Sequence, residues 1–521
     1  MKKVFVLGLC ILSVLVLSGC VSQPHEGGGI SEIKRDIVII GTKAGIFGFH
    51  PWMETYESTT MSVNFNVFNS LVEFDDNYRI IPALAYSWGN PDELTWRFNL
   101  RNGVKFHNGY DFTAEDVKYT IDSIRADKGS VLKDLLTPVD EVKVVDDHTV
   151  DIKTKEPFPA LLNKLVDVFI VSKKYQQETE EKWPVGTGCY KLAEYVPGDH
   201  ITLERFDDYW KGKCKIKTVI FKVIEDDEER VNALLTGKID IAEFVPAERI
   251  EELEGNEGIK LSIAPSTRVM FLSFDFRETG CHGFWEGKNP TSDVRVRKAI
   301  YYAINESKIV HEIMKGVAEP ASQFLSPNVF GYNPEIRRLS YDPEKAKQLL
   351  KEAGYEEGFQ IEMDCSTDRY VNDEEICREI KRQLADVNIK VNLNAQPKAD
   401  FFPKVLSRKT SFYMLGWATD TGDGGAIFDY LLRTVDEEGG EGIYNLGYYS
   451  NPEVDRLGIE SSRIINQEER LKVMQEGFKI AMEDVAWIPL HIESLIYGVS
   501  ADLDWEPRGD VKIKVEDIRL A

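Results

Sequence analysis

Hydrophobic and polar positions follow two periods along this chain, and frequent switching between them predicts a mixed α/β protein. Thr95-Trp-Arg-Phe-Asn-Leu100 alternates every second residue, as a half-buried strand does. Turn signals follow at Asn102-Gly103 and Asn108-Gly109. Thr113-Ala-Glu-Asp116 has the form of a capping box, with Val117, Ile121 and Ile124 at helical spacing behind it. Before these lie an apolar strand over 36–41, a Gly-rich loop over 42–50 and a helix-like run over 64–74 carrying Phe65, Phe68, Leu71 and Val72. After them come two short strands within 142–153, strands over 186–192, 201–205 and 217–224, a helix over 228–235 and a short strand over 239–242. The second half repeats this style without repeating the sequence. Ser292-Asp293 caps a helix, 343–353 is a helix closed by Gly354, and 359–365 is a strand. Ile376, Ile380, Leu384 and Val387 mark one face of a helix over 374–387, followed by a strand over 389–393. A buried strand over 411–415 leads through a Gly-rich loop to a helix beginning near Ala426. A long helix over 467–485 and a strand over 488–492 complete the pattern.

At 521 residues the chain exceeds one ordinary core, so several lobes are expected. Its 43% apolar and 29% charged residues are those of a folded globular protein. A net charge of −24 speaks against a nucleic-acid partner, because nothing offsets phosphate repulsion. The first residues change the picture most. Met1-Lys2-Lys3 precedes an apolar run from Val4 to Leu17, too short for an ordinary membrane span and suited to a signal peptide. A polar, Gly-rich tether over 21–35 follows. Five cysteines remain after Cys20, and an exported compartment permits disulfides. Cys365, at a strand end, and Cys377, at the next helix start, are a candidate pair. Catalytic signatures are not evident: the eight histidines are scattered, and no nucleophile elbow, P-loop or dinucleotide fingerprint occurs. A non-enzymatic protein without cofactor or metal is therefore expected, with an extracellular hydrolase as the remote alternative.

Several strings carry a resemblance. Pro82-Ala-Leu-Ala-Tyr-Ser-Trp88, Trp96-Arg-Phe-Asn-Leu-Arg-Asn-Gly-Val-Lys-Phe-His-Asn-Gly109, Asp208-Tyr-Trp210, Asp293-Val-Arg-Val-Arg-Lys-Ala-Ile300 and Tyr341-Asp-Pro-Glu-Lys-Ala346 stand in order along the chain. Together they resemble the extracytoplasmic solute-binding proteins of the oligopeptide/dipeptide/nickel class, which feed ABC importers. One departure is Cys189 in Gly186-Thr-Gly-Cys-Tyr190, where such proteins usually carry Pro. Leu17-Ser-Gly-Cys20 likewise resembles a lipobox, which implies cleavage before Cys20 and a lipid anchor on its thiol, holding the protein at the outer face of the cytoplasmic membrane. The resemblance implies a two-lobed α/β periplasmic-binding-protein-like fold with hinge closure and an extra subdomain in the larger lobe. Lobe I would combine 36–57, 185–274 and 495–521, with 58–184 as the extra subdomain and 275–494 as lobe II. The implied function is capture of a short peptide by a monomer and delivery to an import permease.

The candidate ligand site lies in the Gly-rich loop after 415. Gly416-Trp-Ala-Thr-Asp420 resembles the class's Gly-Trp-x-x-Asp motif, which implies that Asp420 pairs with a peptide's α-ammonium. Trp417 would wall the pocket, and the backbone at Gly416 and Ala418 would pair with an extended ligand. Asp423 is the motif's second Asp, but Gly424 replaces the Pro expected after it. Arg369, within Asp368-Arg-Tyr-Val-Asn-Asp373, resembles the position that takes a dipeptide's carboxylate. Tyr56, Glu57 and Ser58 are expected from the facing lobe, and Arg268 at a strand start. Glu57 would add negative charge to such a site. A nickel–chelate or an oligosaccharide carrier on the same fold remains the alternative, the latter through Trp417 and Trp285.

Overall fold

The computed structural model describes residues 36–46, 48–52, 58–180, 183–279, 288–436, 438 and 440–521. The expected leader with Cys20, the tether, Tyr56, Glu57, Cys281 and Trp285 lie outside the described residues.

One eleven-stranded sheet organises the rest. From one edge its order is Ile389–Gln396, Phe359–Ser366, Phe412–Ala418, Ile259–Phe274, Ile488–Ser500, Ile241–Ala242, Ile37–Thr42, Thr218–Val223, His200–Arg205 and Tyr190–Val196, with Glu319–Pro320 added on Ile488–Ser500. The two central strands are long, 16 residues in Ile259–Phe274 and 13 in Ile488–Ser500, and pair antiparallel. Their pairing carries a bulge: Pro265 faces Ser494 and Val269 faces Ile492, so Ser266, Thr267 and Arg268 stand opposite Glu493 alone.

Each side of the bulge has its own hydrophobic core. One draws on residues between Val38 and Ile241 and again between Leu495 and Ile518. The other draws only on residues between Met270 and Leu490. A separate four-stranded sheet, Ala85–Asp92, Thr95–Leu100, Thr149–Thr154 and Val139–Asp146, flanks the first core. Thr113 caps the helix Ala114–Ala126 through a capping box with Asp116. Asp293 caps Val294–Ala303 by accepting from Arg295 N.

Three expectations need correction. The run over 64–74 is not one helix: Ser58–Val67 is helical and Val72–Phe74 is a strand. Almost every residue of both is buried, so no polar face marks where the helix stops. The helix expected from Ala426 is short, Gly425–Ile427, and passes into a wide turn in which Arg433 N–H donates to Phe428 O at 2.9 Å. The disulfide joins Cys189 to Cys214, while Cys365 and Cys377 are buried free thiols. The Cys377 thiol nevertheless lies against Cys365, and its sulfur is also 3.8 Å from Met414 Sδ. Cys189 and Cys214 precede strands Tyr190–Val196 and Thr218–Val223, which lie one strand apart in the sheet.

Candidate functional site

A cavity of about 470 Å3 opens beside the bulge, where the two cores meet. Ser58, Arg268, Arg369, Ala418 and Asp420 line it, although their sequence positions span more than 350 residues. The fold brings each there by a separate device. Arg268 belongs to the bulge, where its backbone N–H donates to Ser266 Oγ at 3.0 Å and its Nη1 lies 3.2 Å from Glu493 Oε2. Ala418 lies opposite Arg268 in the sheet, and Gly416 opposite Met270. A Cβ on Gly416 would stand 2.4 Å from Met270 Sδ and 3.0 Å from Arg268 Cδ and Tyr370 Cε1, so only glycine lets these groups close over the strand.

Arg369 is positioned by a residue without an assigned role in the sequence reading. The buried Asp373 carboxylate accepts from Ser366 Oγ at 2.6 Å and from the backbone N–H groups of Arg369 and Tyr370 at 3.1 Å each. Asn372, in the left-handed region at φ 53°, completes the turn into helix Asp373–Ala385. The Arg369 guanidinium lies 5.1 Å from the Tyr370 ring centroid. The Tyr370 hydroxyl donates to Gly416 O at 3.4 Å, linking the Arg369 turn to the Gly-rich strand.

Asp420 begins the loop after Phe412–Ala418. Its side chain is open to solvent, yet the cleft surrounds it. Crowding by protein atoms raises its pKa above the usual aspartate value, Asp167 and Asp510 adding to the effect and Arg268 opposing it. Sequence reasoning missed the other charges of the lining, Asp167, Glu493, Asp510 and Lys512, because none of these sits in a recognisable motif. They form a set of ion pairs: Lys512 with Asp167 at 2.5 Å, Asp510 with Arg508 at 3.1 Å, and Glu493 with Arg268. Lys43, also on the wall, pairs with Asp227 at 3.1 Å. Among the described residues, Arg369 and Asp420 are the lining charges left without an ion pair.

Three expected site residues do not line the cavity: Gly416 is covered by Met270, Arg268 and Tyr370, and the other two lie elsewhere. Trp417 points to the face opposite Gly416 and Ala418, as strand alternation requires, and packs 5.4 Å from Tyr444 and 6.3 Å from Tyr430 between ring centroids. Asp423 is buried against Arg470, with Oδ1 2.7 Å from Nη2, and accepts from Gly425 N–H at 2.7 Å. Burial alone would raise its pKa, but the Arg470 guanidinium outweighs that and holds it below the usual value.

The cleft thus lies at the junction of two cores, crossed by two continuous strands and lined by two charges without an ion pair among the described residues. A profile of bacterial extracellular solute-binding proteins, family 5, middle region, matches residues 79–438, so the chain belongs to this family. It is 29% identical over 460 residues to the glutathione-binding protein GsiB of Pectobacterium atrosepticum, covering 86% of this chain and 87% of that protein. It is 28% identical over 446 residues to the dipeptide-binding protein of Escherichia coli, covering 79% and 81%. The solved structure of HbpA2 from Haemophilus parasuis superposes with a TM-score of 0.82 at 22% identity, over 93% of this chain and all of that one. The two-lobed periplasmic-binding-protein fold is thereby established.

Proposed function

We propose that this chain captures a short peptide outside the cytoplasmic membrane and delivers it to an ABC import permease. The observation that carries the reading is the pairing of one unpaired cation, Arg369, with one unpaired anion, Asp420, in the same cavity. A zwitterion with its ammonium at Asp420 and its carboxylate at Arg369 satisfies both by charge-assisted hydrogen bonds. The neighbouring ion pairs hold the other charges in place, so the site discriminates by these two groups. The similarity to glutathione- and dipeptide-binding proteins supports the same ligand class.

Residues 36–57, 185–274 and 495–521 would act as one lobe, with 58–184 attached, and 275–494 as the other. Closure would bend the bulged strand pair, and the protein would work as a monomer held by lipid on Cys20, without a catalytic step of its own. The leader-free protein, stripped of carried-over ligand by partial unfolding and refolding, tests the ligand class. A pool of short peptides is expected to raise its melting temperature, and Asp420→Ala to abolish the rise. If only sugars or metal chelates raise it, the peptide reading fails; appearance of hydrolysed peptide overturns the non-enzymatic role. Loss of membrane association in Cys20→Ala checks the anchor.

A further inference from the structure

A second cavity, about 690 Å3, adjoins the first and is different in kind. Trp88, Trp96, Leu162, Phe330, Ile465 and Leu471 give it apolar walls from both cores' segments. Among its lining residues the charged one is Arg79, which pairs with Asp75 at 3.7 Å. The partition between the two cavities is thin: the Tyr78 ring and the turn that follows Asp420. Tyr78 lines the apolar cavity, while the electrostatic influence of Asp420 and Asp510 reaches its hydroxyl from the charged one. Cβ atoms on Gly422 and on Gly509, which lines the charged cavity, would come to 3.0 and 3.1 Å of the Tyr78 ring. On the other side Asn163, in the apolar wall, donates to Thr421 O at 2.9 Å.

We infer that the apolar cavity receives the side chain of the ligand's amino-terminal residue and favours a large apolar or aromatic one. This rests on the peptide reading, because it is Asp420 that fixes the ammonium. The first side chain branches from the carbon bearing that ammonium, so it leaves the charged cavity at the Asp420 end, against Tyr78. The buried Tyr78 hydroxyl lies beside the Thr267 side chain, so turning the ring aside gives up one weak neutral hydrogen bond at most. Behind it, an apolar side chain gains burial without facing an unpaired charge, whereas a charged one is desolvated with no counter-ion.

Calorimetric titration of the stripped protein with Ala-Ala and with Phe-Ala tests this. Phe-Ala is expected to bind about tenfold or more tightly, the return on burying one aromatic side chain. Leu162→Gln and Leu471→Gln, on facing walls, are each expected to shrink that ratio while leaving Ala-Ala binding unchanged; two variants guard against a folding defect in either. If the wild-type ratio is near one while Ala-Ala binds, the inference is overturned and the peptide reading stands. Equal weakening of both peptides in both variants, or a ratio unmoved in both, overturns it as well. If neither peptide binds the wild-type protein, the peptide reading fails and takes this inference with it.

Discussion

Asp420 and Asp423 leave the same Gly-rich loop three positions apart and meet opposite environments. Asp423 is held by Arg470 on both oxygens, at 2.5 and 2.7 Å, with both side chains almost wholly buried. Asp420 faces the cleft with no ion pair among the described residues. A buried ion pair is weak evidence for net stability, but breaking one side of it is costly. The loop thus uses one carboxylate to fix its own path and turns the other to the cleft.

The sharpest way to break the contrast is to remove the structural carboxylate. Asp423→Ala leaves Arg470 buried and uncompensated, and is expected to cost about 3–5 kcal/mol in denaturant unfolding. Replacing both partners together, Asp423→Leu with Arg470→Met, is expected to recover most of that loss; if the double variant is as unstable as the single one, the pair has another role. Asp420→Asn should do the reverse. Its stability stays within about 0.5 kcal/mol of the parent, while affinity for Ala-Ala by calorimetry falls roughly 10- to 100-fold.

Titration separates the two groups next. Asp420 has a raised pKa, so its ionised form is lost as pH falls through a value above the ordinary aspartate range. Affinity for an ammonium ligand is expected to weaken there, and a titration series at stepped pH should show the dependence flattened in Asp420→Asn. Asp423 has a depressed pKa, so its stabilisation is present above the unfolded value and is lost only as pH falls through the lower folded value. Binding at Asp420 therefore fails at higher pH than the Asp423–Arg470 pair does. The smallest effect is expected from Trp417→Leu, less than about threefold in affinity, since its ring packs on Tyr430 and Tyr444 away from the cavity. A large loss of affinity in that variant would return Trp417 to the site.

Much of this was legible in the chain. Period-two and helical patterns located most strands and helices because those elements each bury one face. The strings around Trp96, Asp293 and Tyr341 pointed to the family, and the Gly-rich loop and Arg369 turn reach the cleft in the structure. The failures have physical causes. Strand Phe412–Ala418 runs three residues beyond the expected end, which assigns Trp417 and Ala418 to opposite faces. Arg470 lies 47 residues from Asp423, with nothing local to announce it. The wall at Asp510 and Lys512 comes from a C-terminal segment without helical or strand period, held by ion pairs that only the fold assembles.

The two cores also differ in when they can be finished. The core between Met270 and Leu490 is encoded in one uninterrupted stretch. The other waits for Leu495, Tyr497, Val499 and residues as late as Ile518. As the chain is made, the core between Met270 and Leu490 has all its residues first, while the core that begins at Val38 remains incomplete until the final segment emerges. Loss of that short tail would therefore damage the part of the protein made first and spare the part made last before it.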